Sequence, residues 1–151
     1  MNNEKQRSVE KIAVLFSELQ KELFNLTGSE LFEPNSNKII SLTFKDKTYS
    51  LLAKLGIPSS LFGYEMIAFA LNYLHTKNRK VFYTKELYPT IASAFSTTAT
   101  AVERDMRHAI LFACQKGNTE LLKTLFPFNF SEDGIPNSIF LPGILEYLKT
   151  C

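Results

Sequence analysis

Between residues 98 and 108 the chain runs Thr-Ala-Thr-Ala-Val-Glu-Arg-Asp-Met-Arg-His, a short stretch dense in groups that can bond to nucleic acid. At about 100° per residue of helix, Ala99, Val102, Met106, Ala109, Ile110 and Ala113 share one side. Thr100, Arg104, Arg107, His108 and Leu111 take the other, flanked by Ala101 and Glu103. One face is apolar and the other polar and partly cationic, as a helix seated in a DNA major groove requires. Guanidinium groups bond to phosphates and to guanine edges. The alternative for Arg104 and Arg107 is simple pairing with nearby acids on the helix surface.

Charge distribution supports the nucleic-acid reading. Residues 75–116 hold seven cations (Lys77, Arg79, Lys80, Lys85, Arg104, Arg107, Lys116) against three acids (Glu86, Glu103, Asp105), whereas the whole chain of 151 residues has a net charge of +2. A local cationic excess of this kind binds phosphate through counterion release. Lys77, Arg79 and Lys80, in a polar connector, are candidates for backbone attraction. Thr98, Thr100, Ala101, Glu103, Arg104, Arg107 and His108 are candidates at the groove.

These residues need a scaffold. Thr84 can cap a helix from Lys85 to Phe95, Ser96-Thr97-Thr98 makes a turn, and a long helix runs from Ala99 to Lys116 before Gly117. Two helices joined by so short a turn outline a helix-turn-helix. Ala92 is small where they would cross, and Val102 faces back towards it. Leu61 to Leu74 is apolar nearly all round, as a central buried helix is. A last amphipathic helix spans Asn137 to Leu148.

Upstream, Val9, Ile12, Phe16, Leu19, Leu23 and Leu26 alternate at spacings of three and four, a heptad stripe that Thr27 and Gly28 close. It is too short for a free-standing coiled coil, so it either covers its own domain or pairs two chains. Ile39 to Phe44, rich in β-branched residues, is expected as a short strand after the turn residues 33–37, and Asp46 can cap a helix through Leu55. The expected fold is therefore all-α: a multi-helix bundle containing the helix-turn-helix, preceded by an amphipathic helix and a short strand. The expected division is an N-terminal extension over 1–46 and a helical domain over 47–151.

Other functions find little support. Cys114 and Cys151 lack metal-site spacing, and His75 and His108 stand far apart with no ligand cluster, so no metal or other cofactor is expected. Cys114 reads as a small core residue. No nucleophile elbow, phosphate-cradling glycine loop or paired acids on an apolar face points to an enzyme. Phe126, Phe128, Phe130 and Phe140 read as core or partner-facing residues in preference to base-stacking ones. The longest apolar stretch, broken by Glu65, is too short for a membrane span, and charges at 4–11 replace the apolar core of a secretory signal. The expected location is the cytoplasm, with no small-molecule ligand.

The runs Leu55-Gly-Ile-Pro58, Gly63-Tyr64, Leu87-Tyr-Pro89, Thr97-Thr-Ala99 and Val102-Glu-Arg104-x-x-Arg107-His-Ala-Ile110, with Lys116-Gly-Asn118, Leu125-Phe126 and Pro136-Asn-Ser138, carry a specific likeness. Over about residues 47–149 the chain resembles the C-terminal DNA-binding effector domain of the stage zero sporulation protein A family of response regulators. The resemblance implies an all-α domain of about six helices binding duplex DNA as a tandem pair on a TGTCGAA-like box. It implies base contact by Glu103, with Arg104, Arg107 and His108 near the backbone.

Three departures matter. Ala101 replaces the arginine that reads guanine in the family, a contact worth about 1 to 3 kcal/mol of discrimination, so base preference is expected to be altered or relaxed. Asp105 replaces a small residue and sits where it can reach a neighbouring cation. The family's phosphorylatable receiver has no counterpart in these 151 residues. The reading from sequence is a receiver-less DNA-binding transcriptional regulator of sporulation type, with the heptad helix serving dimerisation. The alternative is a protein-interaction module that keeps the fold and pairs with a related regulator without sequence-specific DNA binding.

Overall fold

A computed structural model describes residues 2–27, 36–77 and 79–150 of the chain, with side chains omitted at 2–5, 20, 23–27 and 36–43. The chain divides into two units, 1–38 and 39–151. In the first, helix α1 spans Asn2–Thr27. Its stripe residues Val9, Ile12, Phe16 and Leu19 are exposed, as are Val14 and Leu15 off the stripe. Leu23 and Leu26 belong to the same helix, their side chains lying outside the described set, as does Gly28.

The second unit holds α2 (Ser36–Leu55) from Ile39 onward, α3 (Phe62–Thr76), a π turn (Tyr83–Leu87), α4 (Tyr88–Ala94), α5 (Ala99–Lys116), α6 (Thr119–Leu125) and α7 (Asn137–Thr150). The fold is all-α, and no strand occurs among the described residues. The strand expected over Ile39 to Phe44 is a correction: those residues lie within α2. A lone six-residue strand would leave its backbone donors and acceptors unpaired, whereas a helix satisfies them internally. Downstream, Phe44, Thr48, Leu51, Leu52 and Leu55 are buried at helical spacing, and Thr48 donates its hydroxyl to the Phe44 carbonyl at 2.9 Å. Asp46, expected as a cap, is interior to this helix.

The core gathers Leu52, Leu55, Ile67, Leu71, Ile91, Val102, Met106, Ile110, Cys114, Phe140, Leu141 and Ile144 around α3 and α5. These two helices cross closely at Gly63. A Cβ placed there would lie 2.1 Å from the Asp105 carbonyl oxygen and 2.8 Å from the Ala109 Cβ. At the far end of α5 a second close approach docks Gly117 on α2, where a Cβ would meet the Leu55 oxygen at 2.5 Å and the Asn118 amide donates to that oxygen at 2.9 Å. Asn118 then caps α6, its side chain accepting from the Leu121 amide at 3.1 Å. Phe126 and Phe140 are buried and stacked at 5.6 Å, Phe130 is half-buried, and Phe128 is almost fully exposed. No described helix is long and apolar enough to cross a membrane.

Candidate nucleic-acid interface

The segment before α5 folds differently from a single capped helix. The Phe82 carbonyl accepts from both the Glu86 amide (2.9 Å) and the Leu87 amide (3.1 Å), a widened π turn in which Thr84 is interior and makes no cap. The turn buries Leu87 and aims Glu86 at α3, where it accepts from the Tyr73 hydroxyl at 2.7 Å. The helix proper starts at Tyr88 with Pro89 in its first turn, a position where the missing amide costs nothing. It ends at Ala94. The Phe95 amide bonds to Ile91 and the Thr97 amide to Ala92, closing a turn in which Ser96 takes a left-handed φ of 53°.

Thr98 then sets the start of α5. Its Oγ1 accepts from the Ala101 amide at 3.1 Å, satisfying one of the orphan donors of the first turn. Val102, Met106, Ala109, Ile110 and Ala113 are fully buried, and Ala92 on α4 is buried opposite. Packing on this side fixes which way the rest point. Thr98, Thr100, Arg104, Arg107 and His108 are exposed, while Ala101 and Glu103 are half-buried.

The exposed face is shorter than its periodicity indicates. Leu111, expected on the polar side, is half-buried, with Gly134 against it, and Gln115 donates to the Glu132 carbonyl at 3.3 Å. The 131–136 loop thus covers the C-terminal half of that side, leaving its first turns open.

Both arginines have carboxylate neighbours. Arg107 Nε lies 3.6 Å from Glu103 Oε1, and Arg104 Nε lies 3.4 Å from Asp105 Oδ1. These distances exceed the roughly 2.7–2.9 Å of a tight charged hydrogen bond, so both pairs are loose and their cations open to competition by phosphate. Glu103, Arg107, Tyr83, Tyr88, Asn137 and Ser138 border one open cleft of about 430 Å³. Asn137, which the sequence reading left without a role, is buried there. Its Nδ2 donates to the Glu103 carbonyl at 3.2 Å and to the Tyr88 hydroxyl at 3.3 Å, tying α7 to α5 and α4. The only signal for it in the chain was the Pro136-Asn-Ser138 run.

None of the connector cations Lys77, Arg79 and Lys80 borders the cleft that Glu103 and Arg107 line. Lys77 and Arg79 border a neighbouring cleft with Lys149, which shares Tyr83 and Ser138 with the first. Lys80 lies over the Phe82 ring at 5.3 Å and borders neither of these two clefts. Arg79 grips Glu86 through both Nη atoms, at 2.8 and 2.5 Å. The Arg79 guanidinium, and after it the Tyr73 hydroxyl, holds the Glu86 carboxyl down at about 2. Lys77 lies over the Tyr73 ring, 4.9 Å from its centroid. Arg79 is therefore engaged within the protein, and the α5 cations are the less committed ones.

Residues 48–148 match the family described as sporulation initiation factor Spo0A, C terminal. The match covers α3 to α6, nearly all of α7 and the last eight residues of α2, and so includes the whole of the α5 face. From this match the chain belongs to the family of Spo0A C-terminal domains, which are DNA-binding effector domains of sporulation control and not a catalytic family.

Proposed function

We propose that the chain is a transcriptional regulator that places α5 in the major groove of duplex DNA. Thr100, Glu103, Arg104 and Arg107 lie nearest the bases and phosphates, Thr98 and Ala101 lie at the leading end, and His108 faces the backbone. The observation that carries this reading is the opposition of faces on α5: Val102, Met106 and Ile110 are fully buried, and Arg104, Arg107 and His108 stand exposed across from them. Lys77 and Lys80 add longer-range attraction, and α1 pairs two chains. The functional division sets an extension over 1–46 against a DNA-binding domain over 47–151. With alanine at 101, base reading rests on fewer donors and affinity rests more on phosphate, hence on salt.

The test is charge reversal, Arg104→Glu with Arg107→Glu, read by fluorescence anisotropy with a labelled duplex. The expected result is loss of binding at low salt with the melting temperature preserved. Unchanged affinity overturns the proposal.

A second reading is favoured by the exposure of Val9, Ile12, Phe16 and Leu19 on α1: the chain acts by pairing with a related regulator. Under it, Phe16→Ser with Leu19→Ser removes function while the double charge reversal leaves it intact. Sedimentation of the wild type and of this double variant, each mixed with a related regulator, reads the association directly.

A further inference from the structure

Asp105 is held where few side chains could be. Its carbonyl presses on Gly63 at the α3–α5 crossing, so the backbone of α5 is pinned at this residue. Its side chain is only 22% exposed and borders a groove with Ser59, Phe62, Glu65, Phe95 and Thr97. The other acid of that groove, Glu65, accepts from the Tyr49 hydroxyl at 2.7 Å. Arg104, by contrast, is 64% exposed. Adjacent residues on a helix diverge by about 100° and do not normally face one another. Nevertheless Arg104 Nε and Nη2 both approach Asp105 Oδ1, at 3.4 and 3.5 Å. The exposed guanidinium thus leans towards the less exposed carboxylate of its helix neighbour.

We propose that Asp105 is an internal competitor for Arg104, an affinity-setting residue that holds this guanidinium off phosphate and weakens DNA binding by a graded amount. The inference rests on the reading of α5 as the DNA-contacting helix. The bond is longer than a tight charged hydrogen bond and Arg104 is exposed, so DNA can displace Asp105 without prohibitive cost. Asp105 is a brake and not a block. Exposed pairs of this kind correspond to about a two- to fivefold effect.

The experiment is a double-mutant cycle on the full chain: wild type, Asp105→Asn, Arg104→Ala and the double variant, titrated by anisotropy against a TGTCGAA-box duplex and a scrambled one at two salt concentrations. Asparagine keeps the shape of the side chain, and a thermal melt of each protein identifies any that is misfolded; Asp105→Ser replaces Asp105→Asn in that event. The expected result is about two- to fivefold tighter binding by Asp105→Asn, with a salt dependence steeper by up to about one phosphate contact, and no such gain in the Arg104→Ala background. An equal gain in both backgrounds overturns the competitor role, because Asp105 then acts only as a repelling charge. No gain, with the wild type binding and Arg104→Ala weakening it, also overturns the role and leaves the DNA-binding reading standing. If none of the four proteins binds either duplex at low salt, the DNA-binding reading fails and the role of Asp105 falls with it.

Discussion

Replacing Gly63 by alanine is expected to destabilise the helical unit, although the same change in an isolated helix would stabilise it by about 1 kcal/mol. The new Cβ would sit 2.1 Å from the Asp105 oxygen, 2.8 Å from the Asp105 carbonyl carbon and 2.8 Å from the Ala109 Cβ. Ordinary contact begins at 3.4 Å, so α3 and α5 would have to separate by about 1.3 Å, the difference between that distance and 2.1 Å. None of the three obstructing atoms is the end of a flexible side chain, so the helices themselves must move. Overpacking costs about 1 to 3 kcal/mol where side chains can adjust. Here the separation also loosens Ile67, Met106 and Ile110, all fully buried, which places the cost at or above the top of that range. The net loss is about 2 kcal/mol, or a fall of about 6 to 12 °C in Tm for a unit of this size. Thermal melts followed by circular dichroism measure it. A Gly63→Ala protein that melts at or above the wild-type temperature would refute the close crossing, and with it the pinned position of Asp105.

Three further outcomes follow from the same geometry. Asn137→Ala leaves the Glu103 carbonyl without the side-chain amide that bridges it to Tyr88, and a loss of about 1 to 3 kcal/mol is expected in urea denaturation; an unchanged midpoint would contradict the bridging role of Asn137. Ser96→Gly relieves a left-handed φ of 53° and should raise stability by up to about 1 kcal/mol, whereas a lower Tm would place that strain elsewhere. Glu86, held down at about 2 by Arg79 and then Tyr73, has a folded value below its unfolded one. Its contribution is therefore fully present above about pH 4.5 and is lost as pH falls towards 2. Stability of Glu86→Gln should lack this acid limb, and identical pH profiles for the two proteins would show that the Arg79 grip adds nothing in solution.

How much of this was legible in the chain depended on whether the signal was local. The bounds of α5 were, because Thr98 is a capping residue, an apolar stripe with helical period follows it, and Gly117 ends it. The pairing of Ala92 with the Val102 face was readable from side-chain size. The π turn was not: Thr84 looks like a cap, and the bonds that Glu86 makes to Tyr73 on α3 and to Arg79 come from residues outside the segment. The strand expectation over Ile39 to Phe44 failed because β-branched propensity is a weak preference that an unpaired segment cannot realise. At the candidate interface, residue types and helical phase identified Arg104, Arg107 and His108 as an outward set. What they could not give was the covering of Leu111 by the 131–136 loop, the burial of Asn137, or the engagement of Arg79 by Glu86. Each of these is a contact between segments distant in sequence or turned by an unforeseen backbone form.

The most direct test of the central claim is binding of the purified protein to a fluorescent duplex carrying a TGTCGAA-like box, beside a scrambled duplex, at two salt concentrations. The account predicts salt-sensitive binding to the box, with discrimination against the scrambled duplex reduced by the alanine at 101. Absence of binding to both duplexes at low salt would contradict it.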